Sequence, residues 1–165
     1  MVKLVKCNNC FIHPKSSECQ EFCDTRRIIV IRDRRSTQWT FENPMEKCVC
    51  QIKIDGCIVA DQEVKKCDYL FLVCDETGKS AFFVELKGAD LNQAMAQILS
   101  TVQQLKNELR DFCLYARAAL TKGKPPSIAS TNEKKLKELL EKHNQSKICY
   151  RKIVNYQATH PNEEI

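Results

Sequence analysis

The chain has 165 residues, of which 26 are basic and 21 acidic, giving a net charge of +5. With 43% hydrophobic and 28% charged residues and only four glycines and five prolines, it reads as a globular protein and excludes a low-complexity or fibrous one. No apolar run approaches the ~18–20 residues that span a bilayer, and the first residues lack the apolar core of a signal peptide, so a cytoplasmic protein without a membrane partner is expected.

Residues 1–24 are polar and cysteine-rich. Cys7-x2-Cys10-x2-His13 and then Cys19-x3-Cys23 offer zinc-ligand types at zinc-like spacing, so Cys7, Cys10, Cys19 and Cys23 are candidate Zn²⁺ ligands. The alternative is free thiols in a packed segment. Residues 26–32 predict a strand, and Arg34 and Arg35 beyond it make either a solvated turn or a phosphate-contacting surface. Residues 48–59 predict a second strand, with Asp55-Gly56 a tight turn or bulge. Residues 67–74 and 81–87 predict a hairpin joined by Asp75-Glu76-Thr77-Gly78-Lys79-Ser80.

A helix follows. Asp90 is its cap, with Gln93 at the capping-box spacing, and Leu91, Ala94, Met95, Ile98, Leu99, Val102, Leu105 and Leu109 form its apolar face. Residues 112–120 are ambiguous by pattern. A strand is favoured because Lys122-Gly123-Lys124-Pro125-Pro126 ends the run abruptly. Ser130 and Glu133 open a short helix carrying Leu136, Leu139 and Leu140, residues 147–156 predict a last strand, and the final nine residues read as frayed. His143 and His160 lie in polar segments and read as exposed. The order suggests one domain over 1–165 with a cysteine-rich segment at 1–24, a core at about 46–120, and a helix and strand in 121–165. The fold class is an α/β (α+β) sandwich, a central mixed sheet flanked by helices.

Eleven cysteines are an odd number, so complete internal pairing is impossible. Cys57, Cys74 and Cys113 lie in apolar runs, where cysteine acts as a small hydrophobe, and most of the set reads as reduced packing residues. Cys113, Cys149 and the Cys48/Cys50 pair have no histidine or acid at a telling spacing, so a cysteine-nucleophile enzyme is not expected.

Three charges stand where a buried strand should have none. Asp68 opens one apolar strand, and Glu85 and Lys87 close the next, in Phe82-Phe83-Val84-Glu85-Leu86-Lys87. Positions two apart share a face of a strand, so Glu85 and Lys87 lie together, and a hairpin brings Asp68 to them. Two carboxylates suit a hard cation, Mg²⁺ or Mn²⁺, which polarises a phosphodiester and acidifies bound water. A neighbouring lysine can orient that water or neutralise charge on the phosphorane. The plain alternative is a surface ion pair worth under about 1 kcal/mol.

Asp68, then Glu85-Leu86-Lys87 at the far end of a hairpin, then a helix, resembles the PD-(D/E)XK nuclease superfamily, which includes restriction endonucleases, Holliday-junction resolvases and RecB-type exonuclease domains. The resemblance spans about residues 46–120 and implies a restriction-endonuclease-like αβββαβ core. Cys67 stands where the family has proline. The resemblance implies that Asp68 and Glu85 bind metal, with Glu46 as a first-helix ligand, and that Lys87 positions the attacking water. Gln97 would be a glutamine near the site, and Gln93 would contact the substrate backbone. A solvated face is the other reading of the stripe Gln93, Gln97, Ser100 and Gln104. The implied activity is that of a metal-dependent nuclease, an endonuclease before an exonuclease, acting on DNA before RNA as a homodimer or as a subunit of a complex. Two other readings stand beside it: a non-catalytic adaptor or inhibitor on the same fold, and a zinc-dependent nucleic-acid binder built on the N-terminal cysteines.

Overall fold

In a computed structural model of the chain, residues 15–33, 37–87, 90–120, 128–158 and 161–165 are described, and the side chains of Ser16, Ser17, Lys87 and Ala158 fall outside that description. The elements run in the order α1 (Ser16–Cys19), β1 (Gln20–Asp24), β2 (Ile28–Arg32), β3 (Gln38–Glu42), β4 (Cys48–Lys53), β5 (Tyr69–Asp75), β6 (Gly78–Lys87), α2 (Leu91–Leu105), β7 (Cys113–Leu120), α3 (Thr131–Asn144), β8 (Val154–Ala158) and β9 (Asn162–Glu164). The result is a mixed α+β fold, rich in strand, with two sheets. The larger sheet has the order β1-β4-β5-β6-β7-β8 and the smaller β2-β3-β9. Among the described residues no helix is long and apolar enough to cross a membrane.

The run from β4 to β7 builds the site. β4, β5 and β6 form an antiparallel meander, α2 crosses over, and β7 returns parallel to β6. Asp90 caps α2 by accepting from Gln93 N at 2.9 Å, as the sequence spacing predicts. Its buried face holds Leu91, Ala94, Met95, Ile98, Val102 and Leu105. Leu109 is buried too, but in the turn past the helix, where its N donates to Leu105 O. Ser130 caps α3 in the same way, accepting from Glu133 N at 3.1 Å.

Strand β7 is buried at every position. It runs parallel to both β6 and β8, and a strand covered on both faces has no polar side to display. That explains why residues 112–120 carried no period in the sequence.

The two faces of the large sheet are covered differently. On one, Leu70, Leu72, Ala81 and Phe83 pack under α2 and α3. On the other, Phe71, Val73, Phe82 and Val84 pack against Ile29, Ile31, Trp39 and Phe41 of the small sheet. The expected sheet flanked by helices is therefore corrected: helices cover one face and a second sheet the other. The last residues are not frayed either. β9 pairs parallel with β3, and Glu163 grips Arg117 of β7 with two bonds, Nε to Oε2 at 2.7 Å and Nη2 to Oε1 at 2.8 Å. Arg117 is 1% exposed, and its Nη1 donates to the carbonyls of Ala116 and Lys152. This buried pair ties the two sheets together.

The cysteines depart from the reduced reading. Cys19–Cys57, Cys23–Cys50 and Cys113–Cys149 are disulfides, and Cys48 and Cys74 are also disulfide-bonded. Among the described residues Cys67 is the free thiol.

Candidate active site

Strand register brings the first two predicted residues together. Tyr69 pairs with Val84 across β5 and β6, and one further step sets position 68 opposite Glu85. The side chains then lock the two strand ends reciprocally. Glu85 Oε2 accepts from the backbone N of Asp68 at 3.1 Å, and Asp68 Oδ2 accepts from the backbone N of Leu86 at 2.8 Å. Opposed residues of an antiparallel pair have Cβ atoms about 5 Å apart, close enough for two carboxylates to share one cation. Glu85 is only 2% exposed, while Asp68 is half-buried. Asp68 borders an open depression of about 310 Å³ lined also by Lys53, Asp55, Gly56, Gln62 and Tyr69. One carboxylate is thus sunk in the sheet and the other meets solvent. Lys87 closes β6 two residues beyond Glu85, paired with Leu120 of β7.

The field of the two acids is felt nearby. The Cys67 thiol is pushed well up, first by its complete burial and then by the charges of Glu85 and Asp68. It is a poor nucleophile for that reason. The half-buried Tyr69 phenol is raised too, by burial first and then by Glu21 and Asp68.

Helix α2 holds the segment that delivers Asp68. Thr101 Oγ1 accepts from Cys67 N at 2.8 Å and donates to Gln97 O at 2.9 Å. Gln97 Nε2 donates to Lys66 O at 2.9 Å. Residues 97 and 101 are one turn apart and share a helix face, so they grip the carbonyl and the N–H of a single peptide, Lys66–Cys67, just ahead of Asp68. Gln97 is therefore not on a plain solvated face. Its Oε1 is buried and makes no hydrogen bond to the protein. Such an acceptor costs about 1–3 kcal/mol unless water or a ligand donates to it. On the other side, Ile54 N donates to Asp68 O at 3.0 Å, and the buried Lys66 ammonium donates to Asp61 O and lies 3.6 Å from Asp55. Thr101, Asp55 and Lys66 were missed from sequence. The one signal was that Thr101 follows Gln97 by a helical turn.

The other predicted residues lie apart. Glu46 does not join the acids. It sits in the turn before β4, at left-handed φ 52°, and pairs with Arg27 at 3.5 Å. Asp68 is at the opposite end of β4, beyond the Lys53–Tyr69 pair, about 20 Å away at strand rise. Nor does a helix start there. Gln93 is exposed in the first turn of α2. Arg34 and Arg35 lie outside the described residues, as do Cys7, Cys10, His13 and His160. Of the expected zinc ligands that are described, Cys19 is bonded to Cys57 and Cys23 to Cys50. His143 is half-buried rather than exposed, its Nε2 lying 3.1 Å from both Leu109 O and Phe112 O.

Compared with family models, curated proteins and solved structures, the chain finds no match in any of the three.

Proposed function

We propose that the chain is a metal-dependent nuclease with a PD-(D/E)XK-type site, hydrolysing phosphodiesters of DNA in preference to RNA. The observation that carries the reading is the reciprocal bracing of Asp68 and Glu85, which fixes two carboxylates opposite each other at the end of a buried hairpin. The donor chemistry fits Mg²⁺ or Mn²⁺: oxygen ligands from two acids, one of them facing an open depression that leaves room for water and substrate. Asp68 and Glu85 would hold the ion, which when bound supplies Lewis-acid polarisation of the phosphodiester and a more acidic water. Strand alternation puts position 87 on the face of position 85, where the Lys87 ammonium orients the attacking water and offsets charge gathering on phosphorus. Hydrolysis forms one P–O bond to water, breaks one ester P–O bond and returns a proton to the leaving oxygen. Gln97 is a positioning residue on this reading, because it touches Lys66 and not the reacting atoms.

One observation favours a second reading. Glu85 at 2% exposure already accepts a backbone N–H, so the acids could serve only as a strand clamp in a non-catalytic adaptor of the same fold. A cleavage panel separates the two: single-stranded, duplex and branched DNA and RNA, each with Mg²⁺ and Mn²⁺, against wild type and Lys87→Ala. The nuclease cleaves at least one DNA substrate with metal and loses that activity in Lys87→Ala. Normal cleavage by Lys87→Ala removes the role given to that lysine, and no cleavage with either metal favours the adaptor. A cytoplasmic nuclease would carry its cysteines reduced, whereas the disulfides suit an oxidising compartment.

A further inference from the structure

At the other end of β4 from Asp68 the chain gathers sulphur. Cys23 of β1 and Cys50 of β4 are Cα partners, Cys48 stands two residues before Cys50 on the same strand, and Cys74 of β5 is the Cα partner of Cys48. The Sγ atoms of Cys23, Cys48 and Cys50 all lie within 4.8 Å of one another, and Cys23 Sγ is 3.8 Å from Cys48 Sγ. Cys50 is fully buried, the other two half-buried.

A disulfide uses two sulphurs. Here Cys23 is joined to Cys50, yet Cys48, itself disulfide-bonded, stands within reach of both. In the oxidised chain these sulphurs belong to two separate cross-links that meet at one point; once reduced, three or four thiolates so gathered are the donor set of a soft, tetrahedral ion. Zn–S bonds are about 2.3 Å, so two thiolates on a tetrahedral zinc are about 3.8 Å apart. The Cys23–Cys48 separation of 3.8 Å already has that value. The ligands come from adjacent, mutually paired strands, so no loop need move to assemble them.

We propose that Cys23, Cys48 and Cys50, with Cys74 as the fourth ligand, form a redox-gated zinc site, and that the disulfides are its oxidised form. A dithiol reductant opens each disulfide: the reductant becomes a disulfide, and the chain gains two electrons and two protons per bond as two thiols. Zn²⁺ then displaces the thiol protons and binds the thiolates. Zinc occupancy and the Cys23–Cys50 bond are therefore mutually exclusive. The site is separate from the hard-oxygen pair at Asp68 and Glu85, and it differs from the N-terminal set that the sequence suggests. Bound zinc would fasten β1, β4 and β5 at the end of the sheet away from those acids.

The test uses the full chain. Dithiothreitol-reduced protein is equilibrated with Zn²⁺, desalted, and its zinc measured by mass spectrometry; parallel samples take Co²⁺, whose thiolate charge-transfer and tetrahedral d–d bands report the ligands. Stoichiometric zinc and those bands are expected, as is their loss in Cys48→Ser. That variant keeps the Cys23–Cys50 bond, so its fold is checked by circular dichroism in the oxidised form. Cys67→Ser and the double variant Cys113→Ser/Cys149→Ser should retain the bands. Failure of the reduced wild-type chain to take up zinc, folded or not, overturns the proposal. So does a cobalt spectrum unchanged by both Cys48→Ser and Cys23→Ser.

Discussion

Replacing Thr101 with valine tests how α2 holds the candidate site. Thr101 is 0% exposed, and its hydroxyl is the acceptor for the Cys67 N–H at 2.8 Å. Valine is close to threonine in shape, so the main change is one buried N–H left without a partner, at a cost of about 1–3 kcal/mol. For a domain of this size each kcal/mol lowers Tm by about 2–4 °C, so a drop of roughly 2–12 °C follows. The assay is urea unfolding with disulfides intact, followed by the fluorescence of Trp39, the chain's single tryptophan and fully buried, and by circular dichroism. The midpoint should fall by roughly 0.5–2 M with an unchanged slope. Gln104→Ala is the control: its amide bonds only to Ser100 on an exposed helix face, and its effect should stay within about 0.5 kcal/mol. The unpaired N–H is next to Asp68, so Mn²⁺ affinity should weaken in Thr101→Val and not in the control. A midpoint for Thr101→Val inside the control's range refutes the reasoning.

Two other perturbations probe the frame around the site. Arg117→Met should cost about 3 kcal/mol in the same unfolding assay, because it strands Glu163 and three backbone carbonyls; a loss below about 1 kcal/mol would mean the pair does not join the sheets. The His143 imidazole is held below its ordinary value of 6.5, by burial first and then by the Lys147 charge, while the carbonyls of Leu109 and Phe112 partly oppose the shift. A lowered folded value means the unfolded chain takes up the proton first, so this stability is whole above about 6.5 and falls as pH drops toward the folded value. Urea midpoints measured across that window should decline for wild type and flatten for His143→Gln; parallel declines would contradict the assignment.

The middle of the chain was largely legible in its sequence, for local reasons. Asp90 and Ser130 cap helices at the expected spacing, and the β5–β6 hairpin follows from two apolar runs around a turn. That hairpin alone sets Asp68 opposite Glu85. What escaped was non-local. β9 is three polar residues whose strand state exists only because β3 offers an edge, and nothing in Asn162-Glu163-Glu164 predicts that. One strand of the small sheet, β2, was legible as residues 26–32, but nothing local showed that it packs over Phe71 and Phe82 as a second layer. Glu46 was misplaced because its role was borrowed from a first helix, and residues 43–47 form a turn instead. The cysteines misled because packing thiols and cross-linked thiols occupy the same apolar positions; strand register sets Cys23 against Cys50, and tertiary packing brings Cys57 to Cys19 and Cys149 to Cys113.

The central claim is that Asp68 and Glu85 hold one divalent cation, and calorimetric titration with Mn²⁺ tests it most directly. Asp68→Asn and Glu85→Gln are suitable variants, since each amide oxygen can still accept the backbone N–H that its carboxylate accepts now. Wild type should bind Mn²⁺ with a measurable heat, and each single variant should bind at least tenfold more weakly while unfolding at an unchanged urea midpoint. A wild-type chain that shows no Mn²⁺ binding, or variants that bind it as tightly as wild type, would contradict the account.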